Sequence, residues 1–206
     1  KGPDVSSHYL VREDGMIAQL VPEEKRAWHA GDSYWRGETD INSSSIGIEI
    51  QNTGREAFPD RQIMAVIKLC QDIMQRHGIP PQNVIAHSDV APERKEDPGI
   101  YFPWQTLSKH GIGIWPEATK DTLDVRHVKR MLIKCGYSRN TKVKISLEAF
   151  QRRFEPEVFD TPEKIGVPSP STMSKLQSVA EQTYPPPQKK PKKKSGGLEV
   201  IPYFYH

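Results

Sequence analysis

The chain opens with the period of a sheet. Val5–Val11 and Met16–Leu20 are rich in Val, Leu, Tyr and Ile, and Glu13-Asp14-Gly15 between them supplies the glycine of a tight hairpin turn. Further on, Ile46, Ile48 and Ile50 fall on one face and Gly47, Glu49 and Gln51 on the other, which predicts a half-buried strand over 46–52 with Glu49 turned away from the core. From Asp60 the period becomes 3.6. Ile63, Val66, Ile67, Cys70, Ile73 and Met74 form one stripe, with Asp60 placed as N-cap and Gly78 and Pro80 as stop signals. A short apolar run, Asn83 to His87, predicts another strand that leaves the sheet at a histidine. Strand, helix and strand in this order imply an α/β or α+β layer, a mixed central sheet with helices on it.

Beyond Trp115-Pro116 the pattern predicts a small C-terminal three-helix module. Its helices span Asp121 to Cys135, Ser146 to Phe154 and Ser171 to Gln182. Pro185-Pro186-Pro187 ends it. Residues 188–197 are Lys, Pro, Ser and Gly, a composition that cannot bury enough apolar area to offset its ordering entropy, so 185–206 is expected to be a tail.

Composition narrows the chemistry. No run approaches the roughly 18 apolar residues of a membrane span, and the mean hydropathy of -0.67 is that of a soluble chain. Cys70 and Cys135 lie on apolar helix stripes and are too few for a four-cysteine zinc module, so a metal site must draw on histidines and carboxylates. The net charge of +3 rests on Lys189, Lys190, Lys192, Lys193 and Lys194. Without them the folded body is slightly acidic, which argues against nucleic-acid binding.

The strongest local signal is the run His87-Ser88-Asp89 through Asp97-Pro98-Gly99. A histidine at a strand end, followed by a loop that returns to an Asp before a proline, can present one nitrogen and one carboxylate oxygen to a single ion. By spacing alone, a surface histidine and an Asp capping a Pro-Gly turn explain the run as well. Together with Val5-Ser6-Ser7-His8-Tyr9-Leu10-Val11, Arg26-Ala27-Trp28-His29-Ala30-Gly31, Ser45-Ile46-Gly47-Ile48-Glu49-Ile50 and Phe102-Pro103-Trp104, however, it resembles the N-acetylmuramoyl-L-alanine amidase family. These are zinc hydrolases related to phage amidase lysozymes and peptidoglycan recognition proteins, and the likeness is greatest to envelope amidases with an added C-terminal helical module.

The resemblance implies an amidase fold over 1–117, a helical peptidoglycan-binding-like module over 118–184, and hydrolysis of the amide between N-acetylmuramic acid and L-alanine in peptidoglycan or muropeptides. It implies a Zn2+ cofactor held by His87 and Asp97, Glu49 as the catalytic glutamate and Lys95 as the lysine beside the metal. Trp28, His29 and Asn42 are expected to line the cleft for peptide and sugar. The family's first zinc ligand is a histidine in a strand upstream of Val5–Val11. A preceding segment, whether disordered, cleaved but still docked as a neighbouring strand, or present as a separate polypeptide, is therefore expected to supply it, with His8 or His29 as the competing source. A bacterial envelope location, periplasmic or membrane-anchored, follows from the same likeness, with secretion as second choice. The rival reading is a recognition module that binds peptidoglycan without cutting it. Residues after Trp115 are expected to bind wall and to be removable without affecting the chemistry.

Overall fold

A computed structural model describes residues 6–117, 124–183 and 199–205. The hairpin forms as predicted but in short strands: β1 (Tyr9–Val11) pairs antiparallel with β2 (Ile17–Gln19), Val11 opposite Ile17. Gly15, with φ of +84°, makes the turn, and its N–H donates to the Arg12 carbonyl. A single helical turn that the pattern did not predict, α1 (Ile41–Ser44), leads into β3 (Ser45–Gln51). β3 runs parallel to β1, Leu10 opposite Glu49, and its other edge is parallel to β4 (Glu199–Tyr205), giving the order β2-β1-β3-β4. The last residues of the expected tail are thus a strand, in keeping with the Val, Ile, Tyr and Phe that favour one. Residues 184–198, which include the lysine run, lie outside the described residues.

Ile46, Ile48 and Ile50 are fully buried, as the alternation requires, against Ile63, Val66, Ile67, Cys70 and Ile73 of α2 (Asp60–His77). Each such side chain contributes about 1.5–3 kcal/mol by leaving water. Asp60 is the first helical residue rather than the cap; Pro59 holds the N-cap position, and the Asp60 carboxylate instead faces the positive end of the helix dipole. Gly78 closes the helix in the left-handed region at φ +66°.

The strand expected over 83–87 does not reach His87. Val84 and Ala86 are extended, but the Asp89 carboxylate accepts a hydrogen bond from the Ala86 N–H at 2.9 Å and turns the chain into α3 (His87–Val90). His87 therefore opens a helical turn instead of ending a strand. After α4 (Trp104–Lys109), the C-terminal helices are α5 (Val128–Cys135), preceded by a 3-10 turn at Val125–His127, then α6 (Val143–Phe154) and α7 (Pro170–Thr183). Residues 121–123 of the first of these predicted helices lie outside the described residues.

Two apolar clusters hold the fold. One lies between the sheet, α2 and α4. The other joins α5, α6 and α7 to Ala30, Trp35, Ile41, Ile85, Val90 and Ala91, residues of the first half of the chain, and Trp115 touches both. The clusters are pinned by Arg153. Its guanidinium donates to Asp89 Oδ2 at 2.5 Å and to the Val84 carbonyl at 2.9 Å, and lies 4.0 Å from the centre of the Trp104 ring. Tyr137 donates its hydroxyl to the other Asp89 oxygen at 2.7 Å. The helical module thus shares a core with the loops and short helices of the first half of the chain and reaches the helix that carries His87.

Candidate active site

The loop after α3 brings the two expected ligands together. Lys95 N–H donates to Ala91 O, Gly99 N–H to Glu96 O, and Ser88 N–H to Asp97 O at 2.9 Å, so the chain folds back on itself within ten residues. His87 Nδ1 then lies 2.9 Å from Asp97 Oδ2, with the imidazole buried and the carboxylate nearly so. The other ring nitrogen, Nε2, is 3.3 Å from the Ala30 carbonyl, which can only accept. With Nε2 carrying its proton toward that carbonyl, Nδ1 presents a lone pair to a carboxylate. Two acceptors at this separation repel unless a cation or a proton lies between them, so the donor pair fits a metal ion. Among the described residues no third His, Cys, Asp or Glu joins them to complete a ligand set.

Arg94 braces the same place. Its guanidinium donates to the carbonyls of Ala30 and Asp32, fixing the loop that offers Ala30 O to His87. Gly31 sits under it at φ +59°, where a Cβ would come within 2.7 Å of the guanidinium.

Glu49 projects from the polar face of β3, half-buried, and accepts a hydrogen bond from Ser7 Oγ at 3.3 Å. Burial raises its pKa and the Asp97 charge raises it further, while the Ser7 hydroxyl opposes both. Lys95, two residues before Asp97, lines with it a cleft of about 640 Å³. Among the described residues its side chain makes no hydrogen bond or ion pair.

His8 accepts from the Gly47 N–H at Nδ1 and reaches the Lys25 carbonyl with Nε2, both at 3.0 Å, so its two nitrogens are spent on backbone. Burial lowers its pKa. His29 packs edge-on to His8 with centroids 5.5 Å apart; burial first, then the neighbouring histidines, push its pKa down to about 3. Its ring lies on Gly47, where a Cβ would approach to 2.4 Å. The Asn42 side-chain oxygen accepts from the N–H groups of His29 and Ala30, at 2.9 and 2.8 Å, bracing that loop from within. Trp28 is 53% exposed, with the Arg26 guanidinium 4.2 Å from the ring centre. Sequence reasoning missed Ser7, Arg94 and the Asp89–Arg153 pin. Each lies beside a residue singled out, but nothing in periodicity marks a hydroxyl or guanidinium as a brace.

The mixed sheet with its flanking helices is that of an amide hydrolase, and the chain belongs to the N-acetylmuramoyl-L-alanine amidase family, whose model matches residues 1–100. Among individual relatives, AmiD of Escherichia coli is 40% identical over 188 residues, 76% of this chain and 68% of that protein. AmpD of Enterobacter cloacae, a 1,6-anhydro-N-acetylmuramyl-L-alanine amidase, is 42% identical over 100 residues, 48% of this chain and 54% of its own length. Among solved structures, E. coli AmiD in complex with anhydro-N-acetylmuramic acid-L-Ala-D-γ-Glu-L-Lys superposes with a TM-score of 0.78 at 36% identity, covering 87% of this chain and 80% of that one. AmpDH3 of Pseudomonas aeruginosa, in complex with anhydromuramic pentapeptide, has a TM-score of 0.75 at 31% identity, with 86% and 82% covered. Both structural likenesses extend over the helical module as well as the sheet layer.

Proposed function

We propose that this chain hydrolyses the amide between the lactyl group of N-acetylmuramic acid and L-alanine in peptidoglycan or muropeptides, with a zinc ion held by His87 and Asp97. The observation that carries the reading is the buried His87–Asp97 pair, its nitrogen and oxygen 2.9 Å apart, in a chain that matches the amidase family over residues 1–100. Bound between those two donors, zinc would supply Lewis acidity toward the amide carbonyl and lower the pKa of water to about 7. Glu49, its pKa raised by burial, takes a proton from the attacking water and returns it to the departing amine. Lys95, whose ammonium has no partner among the described residues, stabilises negative charge developing on the carbonyl oxygen. The non-cutting alternative has less support, because a recognition module has no use for a glutamate with a raised pKa beside a ligand pair.

A zinc enzyme takes three protein ligands. We assign the third to a histidine outside the described residues, on a preceding segment docked as a strand. Such a strand reaches β3 only by displacing β4, since the other edge of β3 is held by β1. His8 is a poor substitute because both of its nitrogens are engaged. Trp28 we assign to sugar or peptide stacking, His29 and Asn42 to shaping the wall behind it. Residues 1–117 carry the reacting groups, while 118–184 hold the wall and cover an apolar face of the first half that the fold needs buried. Among the described residues no helix is long and apolar enough to cross a membrane, and the bacterial cell envelope is the proposed location.

Release of L-alanyl peptide from a soluble muropeptide, by the zinc-loaded chain, tests the reading. Glu49→Gln should keep zinc and fold but lower kcat by about a hundredfold or more. His87→Ala should abolish stoichiometric zinc. Parental turnover by Glu49→Gln would remove the assigned base.

A further inference from the structure

The cleft that holds Lys95 and Asp97 has a second wall, made by the helical module. Arg152 of α6 and Phe159, in the 3-10 turn Pro156–Asp160, line it together with Arg55 and Tyr101. The Arg152 side chain is only 10% exposed, and its guanidinium lies over the Phe159 ring at 5.2 Å. A guanidinium carries five donors, yet among the described residues this one makes no hydrogen bond to protein. Among the described residues the one carboxylate within 4 Å of it is that of Glu96, at 3.6 Å, an ion pair without a hydrogen bond, and the Glu96 side chain is 85% exposed. A buried, fork-shaped cation facing an open cleft and touched only by a displaceable surface carboxylate is an incomplete ion pair.

The lining as a whole is net positive, with Arg55, Arg94, Lys95 and Arg152 set against Glu96 and Asp97. Arg55 is exposed, and among the described residues its guanidinium has no partner. Lys95 is equally free, Arg94 is occupied with loop carbonyls, and the Asp97 charge is directed at His87. The positive charge therefore favours an anionic ligand. On either side of the scissile amide the substrate class differs in charge. N-acetylmuramic acid, its carboxyl consumed in the amide, is neutral, whereas a γ-linked glutamate keeps its α-carboxylate and the peptide ends in another.

Resting on the amidase reading above, we propose that Arg152, set against Phe159 and assisted by Arg55, binds a free carboxylate of the stem peptide beyond L-alanine, so that the helical module forms one wall of the substrate site. A bidentate guanidinium–carboxylate pair orients the peptide, and with it the amide, over Lys95 and the His87–Asp97 pair. Glu96 occupies the guanidinium until the peptide displaces it. Arg152 is a positioning residue in this scheme, since it meets the substrate away from the reacting atoms.

The test uses the full, zinc-loaded chain and N-acetylmuramyl-L-Ala-D-γ-Glu-L-Lys in three forms: free acid, glutamate α-carboxamide and lysine carboxamide. In the parental protein, amidating the recognised carboxylate should lower kcat/KM about tenfold or more, chiefly through KM, and the affected form identifies the carboxylate. Arg152→Gln should show the same loss on the free acid and no further loss on amidation, with Arg152→Lys intermediate. Arg55→Gln, at an exposed position that does not endanger folding, should weaken the dependence on the carboxylate in the same direction. Equal sensitivity to amidation in the parental protein and Arg152→Gln, or none in the parental protein, overturns the proposal while leaving the amidase reading intact. Failure of the parental protein to cleave any of the three forms overturns that reading, and this proposal with it.

Discussion

Replacing Arg153 by methionine keeps the length of the side chain and removes its charge, which makes it the sharpest probe of how the two halves of the chain are joined. In the parental protein Asp89 is 1% exposed and accepts from Arg153, Tyr137 and the Ala86 N–H. The variant leaves a buried carboxylate with two neutral donors and no counter-charge, and breaking a buried ion pair from one side costs about 3–5 kcal/mol. The Val84 carbonyl loses its donor at 2.9 Å and Trp104 its cation at 4.0 Å, which places the loss toward the upper end of that range. For a chain of this size, each kcal/mol lowers Tm by about 2–4 °C, so a fall of about 6–20 °C is expected. Urea unfolding followed by circular dichroism, with calorimetry alongside, measures it. Asp89→Asn combined with Arg153→Met should recover part of the loss, because the amide oxygen still accepts from the Ala86 N–H, the amide NH2 can donate to the Tyr137 oxygen, and no buried charge is left. A single-variant loss below about 1 kcal/mol, or a double variant no more stable than Arg153→Met, would refute the assignment of Arg153 as a charge-neutralising pin.

Ending the chain after Trp115 removes Arg153 and uncovers Ala30, Trp35, Ile41, Ile85, Val90 and Ala91; activity on a soluble muropeptide should be lost along with wall binding. Retained cleavage by that truncated chain would contradict the shared core. Glu23 tests a second brace. Its carboxylate meets Arg76, His77 and Tyr9, and although burial works against ionisation, those hydrogen bonds hold its pKa down to about 2. A folded pKa below the unfolded value, about 4.3, contributes stability that is present above the unfolded value and disappears as pH falls toward 2. Glu23→Gln should therefore be less stable than the parental chain by about 1–2 kcal/mol near pH 6, allowing for the partly exposed Arg76, and nearly equal to it at pH 2. Urea midpoints at the two pH values measure the difference, and a gap that does not narrow would refute the assignment.

The sheet side of the molecule was legible because its elements bury one face each. The 46–51 alternation and the 60–77 stripe carry their own period, and the observed bounds differ from the expected ones by about one residue. Asn83–His87 misled because a short apolar run satisfies a strand or an extended lead-in to a helix equally well, and Asp89 decides between them through one hydrogen bond to Ala86. The three C-terminal helices were legible as separate stripes, but not the surface they cover, since pairing of faces distant in sequence leaves no local mark. For the same reason Glu49 and the His87–Asp97 pair could be named from motifs, while the cleft in which Arg152 joins Lys95 and Asp97 needed the fold.

Gly47 has a consequence for how sequence variation around the site should be interpreted. It occupies the third position of a strand otherwise tolerant of branched side chains, and its backbone φ is not in the left-handed region, so neither turn geometry nor strand preference calls for glycine. What excludes a side chain is the His29 ring, whose Cγ would lie 2.4 Å from any Cβ there. A saturation scan scored on cell-wall cleavage would rank Gly47 beside Glu49 two residues later, although Gly47 has no side chain with which to assist the chemistry. The two positions part company in a paired library: a smaller residue at 29 relieves the overlap and lets alanine enter at 47, whereas no partner change restores a lost carboxylate at 49. Invariance at Gly47 would thus report the volume of its neighbour, and covariation between 29 and 47 would be its evolutionary signature.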